Sequence, residues 1–159
     1  MSTQFTIQRA IAGDAHDTSV MVGELLAEIM NAVDVRAFNF NLAETTSRLA
    51  DFLDREKYFV FIARNQHGEP AGFISLYESY ALYAEGAFGT IPELYVFPQY
   101  RSSELGLGLV SQAKAFGTSR GWTLLEVTTP PLPQFERTLQ FYEREGFSIT
   151  GGRKLKVAL

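Results

Sequence analysis

Apolar and polar residues alternate over residues 5–9, the pattern of a half-buried first strand, and Gly13 and Asp14 then interrupt it. Asp14 is placed to cap a helix in which Val22, Leu25, Leu26, Ile29, Met30 and Val33 recur at helical spacing as one core-facing stripe. A second helix is predicted from Asn41, a capping residue with Glu44 three positions on, and Leu49, Phe52 and Leu53 fall on its buried side. Phe38 and Phe40, in the connection, either pack on the core or line a groove. Residues 58–63 form a continuous apolar, β-prone run, as a central strand covered on both faces requires. Turn chemistry at 65–70 and a second run at 71–80 make a hairpin with it.

Residues 90–97 read as the next strand, ended by Pro98. A helix over 105–120 sets Leu105, Leu109, Ala113 and Phe116 on one side and closes at Gly121. Residues 122–129 give another strand, 135–144 a short helix, and 147–150 with 154–158 a final strand pair. Hairpins imply antiparallel neighbours, and a strand, helix and strand near the end imply a parallel pair. The expected fold is therefore α/β, with a central mixed, mostly antiparallel sheet flanked by helices on both faces. With 159 residues and 46% apolar content, residues 1–159 are expected to form a single domain.

Composition narrows the chemistry. A net charge of −4 with scattered Lys and Arg excludes a nucleic-acid surface. The absence of cysteine removes disulfides, thiolate metal sites and a cysteine nucleophile. His16 and His67 fall at a helix start and in a turn, neither with a ligand-spacing partner, so no metal is expected. No leader pattern and no bilayer-length apolar run is present, so no membrane association and a cytoplasmic location are expected.

The most informative stretch is Glu93-Leu94-Tyr95-Val96-Phe97-Pro98-Gln99-Tyr100-Arg101-Ser102-Ser103-Glu104-Leu105-Gly106-Leu107-Gly108. A strand ends at proline, a short loop carries an arginine, and a helix starts among small residues. Unpaired N–H groups at such a helix start suit a phosphate, and Arg101 can add a bidentate contact. Close packing of a helix on a sheet would also explain Gly106 and Gly108. This segment resembles the cofactor loop of the GNAT acetyltransferases, in which Arg or Gln, two variable residues, Gly, one variable residue, and Gly or Ala follow a strand. Arg101, Ser102, Ser103, Glu104, Leu105 and Gly106 occupy those positions without a gap. The resemblance implies acetyl-CoA as acetyl donor, bound by these residues, with the backbone of Leu94, Tyr95 and Val96 pairing with its pantetheine arm. Glu104 departs from the family's glycine. A right-handed backbone there would tolerate the side chain, which then points to solvent, weakens the cofactor, or leaves the loop without one.

The segment from Phe135 to Phe147 resembles the second GNAT signature, a short helix with a Phe141-Tyr142-Glu143 unit that ends at Gly146-Phe147. Phe135 and Thr138 replace the family's Asn and Ala, so no pantetheine contact is assigned to Phe135. The implied chemistry is direct attack of an amine on a thioester, which needs a base for the amine proton, an N–H donor for the oxyanion and an acid for the thiolate. By resemblance Tyr142 is the general acid, with a half-buried helix tyrosine as the plainer alternative. Glu93 is the first candidate base, on the same face as Tyr95 and Phe97, with Glu126 and Glu78 as rivals and a solvated strand carboxylate as the alternative for each.

Phe38, Phe40, Tyr77, Tyr80, Tyr83 and Phe88 offer an aromatic lining for an amine, or simply core. The resulting expectation is an N-acetyltransferase acting on a primary amine of a small molecule. The alternatives are acetylation of a protein amino group and a non-catalytic module that binds acyl-CoA. A homodimer is compatible with such folds and is required by no pattern in this chain.

Overall fold

In the computed structural model, which describes residues 4–159, the apolar run near residue 60 is β2 (Phe59–Arg64), buried along nearly its whole length. Strands pair along both of its edges, and helices cover its two faces. β1 (Thr6–Arg9) and β3 (Pro70–Ala81) pair with it antiparallel, in register Ile7 to Ala63 and Ile62 to Phe73. Beyond β3 follow β4 (Gly86–Ile91), β5 (Leu94–Val96) and β6 (Leu125–Val127). Among the described residues the sheet has six strands in the order β1-β2-β3-β4-β6, with β5 also on β3, and the β4–β6 pair alone is parallel. This is the expected mixed α/β sheet flanked by helices. Residues up to Thr128 form one compact unit and Thr129–Leu159 a second.

Alternation along β2 sorts the layers. Val60 and Ile62 face α1 (Ala15–Val33) and α2 (Leu42–Asp54), sharing a core with Met21, Leu49, Phe73 and Tyr95. Phe59 and Phe61 face α3 (Leu105–Ser119), where Phe116 meets their rings at 4.8 and 5.5 Å. The Asn41 cap forms as predicted, its Oδ1 accepting from Glu44 N at 2.9 Å. Asp14 precedes α1 but does not cap it: its carboxylate accepts from Ile11 N and from Arg64 Nη2, both at 2.9 Å. A 3-10 turn over Ala12–Asp14 delivers the chain into α1 instead. The buried stripe of α1 also begins earlier than predicted, at Ala15, Thr18, Ser19 and Met21. Phe40 packs on α1, its ring lying where a β-carbon on Gly23 would stand 2.5 Å away.

α3 ends in a Schellman turn. Gly121 takes φ +76°, its N–H donates to Thr118 O at 3.1 Å, and Trp122 N donates to Gly117 O at 2.9 Å. The turn drops Trp122 against Gly89 of β4, where an added β-carbon would lie 2.4 Å from the indole. Gly89→Ala is therefore expected to cost about 1–3 kcal/mol by overpacking, measured as a fall in the urea midpoint at unchanged slope.

Three predicted strands differ from the structure. The single strand over 90–97 is split into β4 and β5 at Pro92 and Glu93. The final strand pair is absent: residues 147–159 contain no strand, and Ile149, Leu155 and Val157 are 73%, 88% and 83% exposed. Their alternation satisfies the local pattern, but no sheet neighbour receives it.

Candidate active site

The break between β4 and β5 is a β-bulge. Before it, β3 pairs Tyr77 with Thr90, and after it Ile74 with Leu94, so Ser75 and Leu76 stand opposite the longer stretch Ile91, Pro92 and Glu93. Proline cannot donate to the ladder, which localises the extra residue there. One inserted residue reverses facing. Thr90 shares the α1/α2 face with Tyr77, and without the bulge Glu93 would point to the α3 side; with it, Glu93 stands on the α1/α2 face beside Ser75.

The bulge also opens the sheet. β6 follows β4 as far as Val127 opposite Ile91 and has no pairing with β5. Ser75 N donates to Glu93 O at 2.9 Å and Phe97 N to Ala71 O at 3.0 Å, so odd-numbered residues of β5 aim their backbone at β3. Leu94 and Val96 aim theirs outward, where no ladder partner exists among the described residues. Arg101 Nε donates to Val96 O at 2.8 Å, which leaves the N–H of both residues and the Leu94 carbonyl open.

Glu93 accepts from Ser75 Oγ at 2.5 Å and from Tyr58 OH at 3.4 Å. Burial pushes its carboxyl above the usual range, and the two hydroxyl donors only partly offset this. Tyr58 is raised as well, by burial first and then by Glu93, and stacks on Tyr77 with centroids 6.1 Å apart. The rival Glu78 lies on the opposite face, accepting from Trp122 Nε1 at 2.6 Å and from Tyr80 OH, with Arg120 at 3.6 Å. Those hydrogen bonds, Tyr80 first and Trp122 second, hold its carboxyl below the usual range, so Glu78 is a fastened structural acceptor and a poor base. Glu126 is exposed on β6 and pairs in register with Thr90.

The loop Arg101–Glu104 is exposed and leads into α3. The N–H groups of Leu105, Gly106 and Leu107 find no acceptor among the described residues, and the first bond into the helix is Gly108 N to Glu104 O at 3.1 Å. Ser103 Oγ is turned back onto Tyr100 O at 2.5 Å. Arg101 lies over the Tyr95 ring and its Nη2 meets Glu28 Oε1 at 2.6 Å, so this guanidinium ties the loop to α1. Glu104 does not keep the right-handed backbone expected of a side-chain-bearing residue: φ +63° and ψ +18° are left-handed. The position keeps the conformation that suits glycine while carrying glutamate, at a cost of about 1 kcal/mol.

In the second unit, α4 (Glu136–Arg144) buries Tyr142. Gly146 at φ +95° closes the helix by a second Schellman turn, with Gly146 N on Glu143 O at 3.1 Å and Phe147 N on Tyr142 O at 3.0 Å. Phe147 is thereby brought edge-on to the Tyr142 ring at 5.3 Å, the hydrophobic contact that accompanies such caps. Burial alone raises the Tyr142 phenol and keeps it protonated.

A mixed sheet splayed by a bulge, with an open strand edge leading to a phosphate-type helix start, defines a class of acyl-transfer fold. The chain belongs to the family of the acetyltransferase (GNAT) domain, whose model matches residues 56–149, more than half of its length. It is an acetyltransferase. The chain is 29% identical over 141 residues to the aminoalkylphosphonate N-acetyltransferase of Salmonella typhimurium, covering 89% of this chain and 83% of that protein. Among solved structures, an aminoglycoside N-acetyltransferase in complex with CoA superposes with TM-score 0.79 at 14% identity, covering 99% of this chain and 97% of that one. A GCN5-related N-acetyltransferase from Ralstonia eutropha superposes with TM-score 0.77 at 19% identity, over 97% and 99% of the two chains. These likenesses to solved structures establish the fold.

Proposed function

We propose that residues 1–159 are a single acetyltransferase domain that transfers the acetyl group of acetyl-CoA to a primary amine of a small molecule. The observation that carries this reading is the bulge at Pro92 and Glu93, which opens the edge of β5 and turns a carboxylate of raised pKa onto the neighbouring face. Two sets of open backbone donors support the cofactor assignment. The Leu94 carbonyl and the Val96 N–H suit the amides of a pantetheine arm, and the N–H groups of Leu105, Gly106 and Leu107 suit a pyrophosphate. Acetyl-CoA, when bound, supplies a thioester open to direct attack. Glu93 takes the amine proton, Leu94 N–H stands ready for charge developing on oxygen, and Tyr142 holds a proton for the leaving group. The relative in Salmonella typhimurium is named for acetylation of a small amine, which agrees with a small-molecule acceptor. No described helix is long and apolar enough to cross a membrane, and a cytoplasmic setting is part of the same reading.

Titration calorimetry with acetyl-CoA, followed by thiol release with a panel of amines, tests it. Saturable binding with amine-dependent thiol release is expected; absence of both would overturn it. Glu104→Gly is expected to tighten acetyl-CoA by removing an anion beside the phosphate site. It should also raise stability by about 1 kcal/mol by relieving the left-handed backbone, read as an increase in Tm.

A further inference from the structure

The α1/α2 face of the sheet continues beyond the two helices, and its composition there is specific. Register places Ser75 beside Glu93 in one row and Tyr77, Thr90 and Glu126 in the next, across β3, β4 and β6. Ser79 and Thr90 share a hydrogen bond of 2.9 Å on the same face, next to the stacked Tyr58 and Tyr77. The surface therefore presents tyrosine rings and hydroxyls between two carboxylates. Arg64 of β2, Arg9 of β1 and Arg120 at the end of α3 are committed elsewhere: Arg64 to Asp14 and Asp17, Arg9 to Glu56, and Arg120 to Glu78. Burial is the largest influence on Glu93, and the other two are hydrogen bonds from hydroxyls, with no cation among them. Glu126 makes no hydrogen bond or ion pair among the described residues and is exposed.

We infer that the acceptor is a primary amine bearing a second cationic group, that Glu126 receives this second group, and that an acceptor bearing an anion is disfavoured. The inference rests on the transferase reading and names its substrate class. One strand spacing and the bulged stretch from Thr90 to Glu93 separate the two carboxylate-bearing backbones by about 10 Å. Both side chains are long enough to close part of that span onto a short diamine or a sugar with two amino groups. Tyr58 and Tyr77 supply ring surface for a cation or for the aliphatic link between the nitrogens. A phosphonate or carboxylate in place of the second ammonium would meet Glu126 with like charge. In this respect the chain is expected to differ from its relative named for aminoalkylphosphonates.

The test is thiol release from acetyl-CoA with three acceptors of equal four-carbon length: a diamine, an amino alcohol and an aminophosphonate. The expected order of kcat/KM is diamine, then alcohol, then phosphonate. In Glu126→Gln the ratio of kcat/KM for diamine over alcohol should fall by about 1.4-fold to fivefold, the range of an exposed ion pair. The ratio matters because damage to the fold lowers both activities together and leaves it unchanged. Turnover of the phosphonate ahead of the diamine, or an unchanged ratio in the variant, overturns the inference while leaving the transferase reading intact. Acetyl-CoA binding without thiol release for any amine overturns both.

Discussion

Replacement of Glu93 by glutamine is expected to lower kcat/KM for amine acetylation by about 100-fold or more, the usual contribution of a positioned general base. Glutamine keeps the size of the side chain; its one carbonyl oxygen can still accept from Ser75 Oγ while its amide N–H can donate to the Tyr58 oxygen, so the bulge should survive. Only the proton acceptor is lost. The pH dependence separates this from a structural effect. Burial raises the Glu93 carboxyl, so the active ionised form appears at higher pH than for an ordinary glutamate, and kcat/KM of the native protein should rise through that raised value. The variant should lose that limb. Stability runs the other way: a carboxyl whose folded pKa exceeds its unfolded one favours the fold below the unfolded pKa. That contribution fades as pH rises through the folded pKa. Glu93→Gln should therefore flatten the decline in Tm above pH 4 while removing activity. A variant with full activity and an intact acidic limb would reassign the base.

The second large effect is expected at Tyr142. Tyr142→Phe retains the ring that packs edge-on against Phe141 and Phe147, so α4 and its Schellman turn should be kept. It removes the hydroxyl whose proton burial retains. A loss on the order of 10²-fold in kcat, with acetyl-CoA affinity unchanged by calorimetry, is the expected result. The effect should shrink for thioesters with a more acidic thiol, which leave without assistance. Equal losses for good and poor leaving groups would place Tyr142 in packing alone.

What could be read from the sequence was local. The Asn41 cap, the hairpin over 65–70 and the glycine closing α3 each depend on a few neighbouring residues, and each formed as predicted. The bulge did not announce itself in alternation, because register is a property of two strands. Pro92 inside an otherwise strand-like run was the signal that could have located it. Glu93 was legible as a candidate through its place before Leu94-Tyr95-Val96, whereas its partners Ser75 and Tyr58 lie far away in sequence and only folding joins them. Glu104 was legible as an exception but not in its conformation. The family's glycine at that position was itself evidence for a left-handed backbone. The predicted last strand pair failed for the opposite reason, since alternation at Leu155 and Val157 fixes a strand's faces but cannot supply a neighbour.

The inserted residue at Pro92 and Glu93 sets two things with one peptide unit: the gap beside β5 and the direction of the Glu93 carboxylate. Neither can be tuned alone by exchanging side chains. Deleting Pro92 would zip β5 into line with β4 and close the gap, while regular alternation from Thr90 would leave Glu93 opposite Ser75 on the same face. Acceptor preference, which on the proposed reading depends on side chains such as Tyr77 and Glu126, can drift one substitution at a time. The open edge beside β5, built into the spacing of the backbone, is kept or lost in a single step.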